Sequence, residues 1–243
     1  MYQKLKKVIK SIMPSGFIQK NEALFRSIIA LYYKGNKQEC NLCGFKLSQF
    51  VETENFGSIC PKCGSISRNR RLWTLLQGHL NNKKVLHFSP SKKLKETIEK
   101  ADTKEYITTD YLGEFQAMKR LNIEAIDEPD NYYDLVICYH VLEHVTQDLK
   151  AMQELYRILK PNGICYIQTP FKEGETYEDI SITIIGMIMK DSAQEDHLRI
   201  YSVSGLSSRL EQAGFKTKIH NYQEAAKNKF GFLTSESVFV ASK

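Results

Sequence analysis

Two cysteine pairs, Cys40-x2-Cys43 and Cys60-x2-Cys63, stand sixteen residues apart and constrain this chain more than any other feature of its sequence. Each lies in a knuckle, CNLCG or CPKCG, whose glycine lets the backbone turn so that amides face the sulfurs. Four thiolates fill the tetrahedral shell of a zinc ion and leave no place for water, so such a site is structural and not catalytic. A redox dithiol pair and an iron–sulfur cluster are competing readings; the paired spacing favours zinc. The stretch between the pairs, 45–59, is too short for its own core, and metal binding would supply much of its folding energy. A disulfide framework suits a small secreted domain better than a chain of 243 residues. The remaining two cysteines, Cys138 and Cys165, lie in apolar runs and read as core.

A chain of this length has room for one α/β domain and a small module. With 42% hydrophobic and 26% charged residues, neither disorder nor residence in a membrane is indicated. The longest apolar run, 180–189, is roughly half the ~20 residues of a membrane-spanning helix and reads as a lid or core segment. Lys10 and Pro14 interrupt the apolar stretch that a secretory signal would need, which points to the cytoplasm. Leu5, Val8, Ile9 and Ile12 gather on one face of a basic helix. Residues 1–13 could therefore make peripheral membrane contact, or dock on the rest of the protein. The net charge of +6 favours an anionic partner: nucleic acid, a phosphate-bearing sugar carrier or an anionic membrane. Arg68, Arg70 and Arg71 in SISRNRR read either as an anion-binding patch or as a solvated helix start that joins two domains.

Periodicity divides the rest. Basic helices are expected in 1–35, the zinc ribbon in 36–66, a connecting helix in 67–82 and an α/β domain in 83–243. Strands are read at 85–88, 106–109, 134–139, 163–169, 215–220 and 237–240. Helices are read at 22–33, 67–80, 92–101, 142–159 and 204–213. Strands alternating with helices imply a mostly parallel sheet, whose ligands sit beyond the carboxyl ends of its strands.

Three strand ends carry information. The first turn, HFSPS, has no glycine. The second strand ends at Asp110, a carboxylate that can accept hydrogen bonds from both hydroxyls of a ribose, or cap a helix. The third stretch, NIEAIDEPDNYYDLVICYHVLEH followed by YRILKPNGICYIQTPF, resembles class I S-adenosylmethionine-dependent methyltransferases of the type 11-like group. Their acidic turn, "FDLV", "HVLEH" and "LKPGG" elements occur in this order and spacing. Together with the cysteine knuckles, SISRNRRLW, VLHFSPSKKL, TYEDISI and DHLRIYS, the chain resembles a bacterial subgroup with an N-terminal four-cysteine zinc ribbon and a glycine-free first turn. The resemblance covers roughly 36–243, with Asn122 in place of the usual aspartate and Asn162 in place of the first glycine of "PGG".

That resemblance implies a doubly wound, mostly parallel, seven-stranded Rossmann-like sheet with S-adenosylmethionine as cofactor and zinc as a structural ion. It places Phe88, Ser89 and Pro90 at the methionine end of the donor and Asp110 at the ribose. Asn122 and Ile123 fall at the adenine, and Cys138, Tyr139 and His140 beneath the sulfonium. A base is needed where the acceptor carries a proton, and His140, His144 and His197 are the candidates, His197 foremost because it shares a returning loop with Arg199. The expected reaction is methyl transfer to a hydroxyl of a small or glycan-type acceptor, such as a surface polysaccharide. The alternatives are an RNA methyltransferase that uses the ribbon with Arg68, Arg70 and Arg71, and a non-catalytic binding module with a degenerate donor site.

Overall fold

The structure, a computed structural model, describes residues 14–53, 57–179, 197–223 and 227–243. The basic stretch 1–13 and the apolar run 180–189 lie outside the described residues. Among those described, no helix is long and apolar enough to cross a membrane. The chain forms two compact units: one runs up to Gln77 and includes Gln223–Thr234, the other comprises Gly78–Tyr222 and Ser235–Lys243.

The first unit contains α1 (Ser15–Lys20), α2 (Glu22–Tyr32), two antiparallel strand pairs and α3 (Ser67–Leu76). The pairs are β1 (Lys34–Glu39) with β2 (Lys46–Leu47), and β3 (Val51–Thr53) with β4 (Gly57–Ile59). Gly44 and Gly64 close the two cysteine knuckles at φ of 68° and 74°, the left-handed conformation for which glycine was expected. Their amides donate to the carbonyls of Cys40 and Cys60 at 2.7 and 2.9 Å. Helix α3 stops at Leu76, short of the expected 80, because Gly78 turns the chain away at φ 83°.

At the centre of this unit is Arg70, with no solvent exposure. Its guanidinium donates to the carbonyls of Phe230 (2.6 Å), Ser65 (2.5 Å), Ser58 (3.0 Å) and Gly231 (2.6 Å), and it lies 4.0 Å from the centre of the Phe50 ring. Arg71 is buried as well, 4.0 Å over the Phe232 ring. The expectation that Arg68, Arg70 and Arg71 form an exposed patch is therefore corrected for two of the three. The same bonds explain why 223–234, assigned by sequence to the second domain, clusters with the first: its carbonyls satisfy a cation that has no water.

In the second unit β5 (Lys84–Phe88), α4 (Lys92–Ile98), β6 (Glu105–Thr109) and β7 (Tyr133–Tyr139) come first. They are followed by α5 (Asp148–Ile158), β8 (Leu159–Gln168), the short β9 (Tyr177–Glu178) and β10 (Arg199–Ile200), α6 (Val203–Gln212), β11 (Lys216–Gln223) and β12 (Ser235–Ser242). The main sheet has the order β11-β12-β8-β7-β5-β6. Strands β8, β7, β5 and β6 run parallel to one another, and β12 runs antiparallel to β8. These six strands are the six read from the sequence. The expected seventh is reduced, among the described residues, to an isolated parallel bridge between Thr109 and Lys119 at the β6 edge.

Leu86, Val136, Ile137, Ile167 and Phe239 are wholly buried in this sheet, each contributing about 1.5–3 kcal/mol relative to exposure. Cys138 and Cys165 are wholly buried too, and burial pushes both thiols well up, as suits core residues. Asn162 takes a left-handed φ of 63°, a conformation that asparagine tolerates, so it replaces the usual glycine without changing the turn. One expected element is broken. Residues 142–159 do not form a continuous helix: a 3-10 turn spans Leu142–His144, Val145 is extended, and α5 starts at Asp148.

His87, in the middle of the sheet, has its Nδ1 2.9 Å from the Tyr106 hydroxyl, and burial lowers its imidazole from 6.5 to about 3. The folded state thus holds it neutral while the unfolded chain protonates, so stability present above pH 6.5 is lost as pH falls from there towards 3. The expected contribution is a loss of about 1.4 kcal/mol per pH unit within that window. Urea unfolding at pH 7.5 and pH 5 should show a smaller acid loss for His87→Gln than for the wild type; equal losses would contradict a neutral His87.

Candidate active site

Where β5 and β7 end, the chain turns outward through two residues that follow directly, Ser89 and His140. Both adopt left-handed backbone conformations, at φ 46° and 54°, which cost a non-glycine residue about 1 kcal/mol or more each. Each turn is pinned by a main-chain bond to the neighbouring strand end. Ser89 N–H donates to Thr109 O at 2.7 Å and His140 N–H to Gln168 O at 2.8 Å. The glycine-free HFSPS turn therefore has the backbone shape of a glycine turn, with a hydroxymethyl group added.

That hydroxyl has a task. Ser89 Oγ donates to Asp110 Oδ1 at 2.9 Å, while the Phe115 amide donates to Oδ2 at 3.2 Å. Asp110 is nearly buried, and each of its oxygens keeps one lone pair for a further donor. No helix follows it, so the capping alternative is set aside. Phe88, Ile123 and Cys138 share one apolar cluster, and Pro90 and Tyr139 are buried beside their strand ends. Cys138, being inside the sheet, can offer a ligand its backbone alone. Asn122 builds a local turn: its Oδ1 accepts from Glu124 N at 2.9 Å and its carbonyl from Ala125 N at 3.0 Å.

The three candidate histidines are brought together with Glu143. His140 Nδ1 lies 3.0 Å from Glu143 Oε1, and the rings of His144 and His197 meet edge to face with centroids 4.9 Å apart. A Glu143 oxygen and one ring nitrogen each from His144 and His197 all lie within 4.8 Å of one another. Glu143 has no exposure; burial opposes its ionisation, but the His140 contact and then the charge of His144 hold its carboxyl below the usual value. Among the described residues, His140 Nε2 and both Glu143 oxygens are buried without a hydrogen bond. Sequence reasoning gave Glu143 no role; the signal was an acid between two histidines in a stretch that must be buried.

His197 arrives there through a brace formed by the TYED and DHLRIY segments, which pair as β9 and β10. Leu198 N–H donates to Glu143 O at 2.9 Å. Arg199, in the same returning loop as His197, is 3% exposed and spent internally. Its Nη1 donates to the carbonyls of Leu142 (3.1 Å) and Val145, its Nη2 to that of Thr146 (3.1 Å) and its Nε to Glu178 (3.0 Å). These carbonyls belong to the broken stretch before α5, so the guanidinium takes over acceptors that a continuous helix would have used. Asp148 closes the network, accepting from the Tyr201 hydroxyl at 2.8 Å and from Arg209 at 2.6 Å.

In the first unit the four cysteine sulfurs converge within 4.8 Å of one another, with Cys40–Cys63 at 3.6 Å and Cys43–Cys60 at 3.8 Å. The Ser65 hydroxyl lies 3.2 Å from the sulfurs of both Cys40 and Cys63.

Arg199→Met should remove roughly 3 kcal/mol of stability, because buried carboxylates and carbonyls lose their partner. The change should appear as a lower urea midpoint at unchanged slope. A shift of less than about 0.5 kcal/mol, typical of surface substitutions, would mean that the brace is dispensable.

The family model described as "Methyltransferase domain" matches residues 87–218, more than half of the chain. A ubiquinone/menaquinone biosynthesis C-methyltransferase from Yersinia enterocolitica is 29% identical over 101 residues, 40% of each chain. Its namesake from Hydrogenovibrio crunogenus is 50% identical over 42 residues, 17% of this chain and 16% of that one. The chain thus spans less than half the length of these curated relatives. Among solved structures, an S-adenosylmethionine-dependent methyltransferase from Archaeoglobus fulgidus superposes with a TM-score of 0.52 at 17% identity, covering 72% of this chain and 93% of the other. A 1,6-didemethyltoxoflavin-N1-methyltransferase from Burkholderia thailandensis gives 0.51 at 14% identity, covering 72% and 77%. Those two likenesses concern the fold, and the family match concerns the sequence. Together with the strand order and the turns at Ser89 and His140, they lead to one conclusion: the chain belongs to the methyltransferase-domain family.

Proposed function

We propose that the protein is an S-adenosylmethionine-dependent methyltransferase that methylates a hydroxyl of a small or glycan-type acceptor, with His140 receiving the acceptor's proton. The observation that carries this reading is the His140–Glu143 pair at the carboxyl end of β7, whose second imidazole nitrogen is buried without a partner among the described residues. S-adenosylmethionine, when bound, supplies a methyl group on a positively charged sulfur. Phe88, Ser89 and Pro90 line its methionine end, Asp110 accepts from its ribose, Asn122 and Ile123 flank its adenine, and the backbone of Cys138, Tyr139 and His140 forms the floor. The unused lone pairs of Asp110 fit two ribose hydroxyls. As the oxygen–methyl bond forms and the methyl–sulfur bond breaks with its electron pair passing to sulfur, the hydroxyl proton passes to His140 Nε2. The chain's main task is to hold oxygen, carbon and sulfur in line. His140 replaces His197 as the preferred base because it has a carboxylate against its other ring nitrogen.

The four cysteines fit a structural zinc ion. Zinc–sulfur bonds of about 2.3 Å in a tetrahedron put the sulfurs about 3.8 Å apart, close to the two separations seen here, 3.6 and 3.8 Å. The RNA-methyltransferase reading is weakened by the burial of Arg70 and Arg71. The non-catalytic reading is weakened by the glycine-like path of Ser89 and its bond to Asp110. The curated relatives are named as C-methyltransferases, so product analysis must separate a carbon acceptor from an oxygen acceptor. A cytoplasmic enzyme, with membrane contact through residues 1–13 as a variant, is the location that goes with this reading.

Calorimetry with S-adenosylmethionine should show binding by the wild type, at least about tenfold weaker binding by Asp110→Ala, and near-normal binding by His140→Gln. With acceptor present, His140→Gln should lower kcat by about a hundredfold or more. No donor binding by metal-loaded wild type would sink the reading, and an unaltered kcat would remove His140 from it. Metal analysis should find one zinc per chain on the cysteines, and chelation should unfold the first unit, seen as a loss of protection from proteolysis in residues 34–76. A zinc-free protein with that unit intact would remove the ion from the account.

A further inference from the structure

We propose that Glu143, His144 and His197 hold a divalent metal ion, separate from the four-cysteine site, with open positions for an oxygen of the acceptor. The last clause rests on the methyl-transfer reading above; the ion site itself does not.

Three donor atoms, one carboxylate oxygen and two imidazole nitrogens, lie within 4.8 Å of one another. Ligands bonded to one ion at about 2.0–2.2 Å are roughly 3–4 Å apart, so small side-chain rotations bring these three onto a common centre. Independently, Glu143 is wholly buried and neither of its oxygens has a hydrogen bond among the described residues. A buried carboxylate whose lone pairs meet no donor is strongly disfavoured unless something positive stands beside it. His140 Nδ1 stands 3.0 Å from Oε1, which leaves Oε2 to be satisfied. A cation between Glu143 and the two rings fills that need.

The surroundings have the character of a metal site. Leu198 N–H fixes the Glu143 carbonyl, and Arg199 ties the segment that bears His197 to the turn that bears His144. Such outer support is what holds metal ligands in place. Two imidazoles and one carboxylate are a borderline donor set suited to manganese, cobalt or zinc, and three protein ligands leave positions free. The four cysteines, all sulfur and already complete in number, compete poorly for a hard ion such as manganese. The position also favours an acceptor role, because Glu143 and His144 follow His140 at the end of the strand whose outer edge the donor uses. An ion there would bind the acceptor hydroxyl and make its oxygen a better nucleophile.

The test uses the full chain with its cysteines loaded with zinc, titrated with Mn2+ alone and followed by the electron paramagnetic resonance of free Mn2+. One Mn2+ should bind per chain, and pulsed spectra should show couplings to two imidazole nitrogens. Glu143→Gln and His197→Asn should each weaken binding by at least about a hundredfold, since even outer-shell changes cost 10–100-fold. His197→Asn should also leave one nitrogen coupling instead of two. Absence of Mn2+ binding by the wild type, or unchanged affinity in both variants, overturns the proposal. Donor calorimetry on the same samples keeps the two ideas apart: Mn2+ binding without donor binding upholds the ion site and removes its acceptor role, whereas donor binding without Mn2+ overturns the ion site and leaves the methyl-transfer reading standing.

Discussion

The second unit depends on a buried guanidinium. Arg199 reaches three carbonyls between Leu142 and Thr146, and with Arg209 and Tyr201 it surrounds the carboxylates of Asp148 and Glu178. Without it the stretch after β7 would have no reason to interrupt its helix. The interruption turns Glu143 and His144 towards His197, and the bond from Leu198 to Glu143 locks the two segments at that register. A charge buried with four acceptors is weak evidence for stability as such; its value lies in specifying one arrangement of the two segments.

This arrangement accounts for two motifs that set the chain apart in sequence. TYED and DHLRIY, separated by residues outside those described, are the two strands of one small ladder and supply the acid and the base of one ionic network. Their chemistry is scaffolding, and the histidine carried at the head of DHLRIY is the part that faces the site. The first unit repeats the scheme with Arg70, whose partners again come from a distant segment, Phe230 and Gly231.

What the sequence made legible follows from locality. The six sheet strands are apolar runs bounded by turn residues, and each is where its run predicts. The cysteine knuckles declare themselves through ligand spacing and two glycines. Asp110 stands out as a candidate because a strand end has a fixed place in an open α/β sheet. What stayed illegible depends on partners far along the chain. Helical periodicity across 142–159 is genuine, yet Arg199, more than fifty residues later, overrides it. Arg70 and Arg71 look like surface charge until the carbonyls and rings of 230–232 are placed beside them. The HFSPS turn carries no glycine, and composition cannot show that Ser89 accepts a left-handed φ and donates a hydrogen bond to Asp110.

The route of residues 223–234 has a consequence for how the molecule is made. The chain leaves the sheet after β11, completes the first unit with Phe230 and Gly231, and only then returns to lay down β12. The cysteines therefore leave the ribosome well before the carbonyls that satisfy Arg70, which follow it by 160 and 161 residues. Until that segment emerges the Arg70 guanidinium keeps water as its partner, so burial of this cation, and closure of the N-terminal unit around it, must wait for residues 230 and 231.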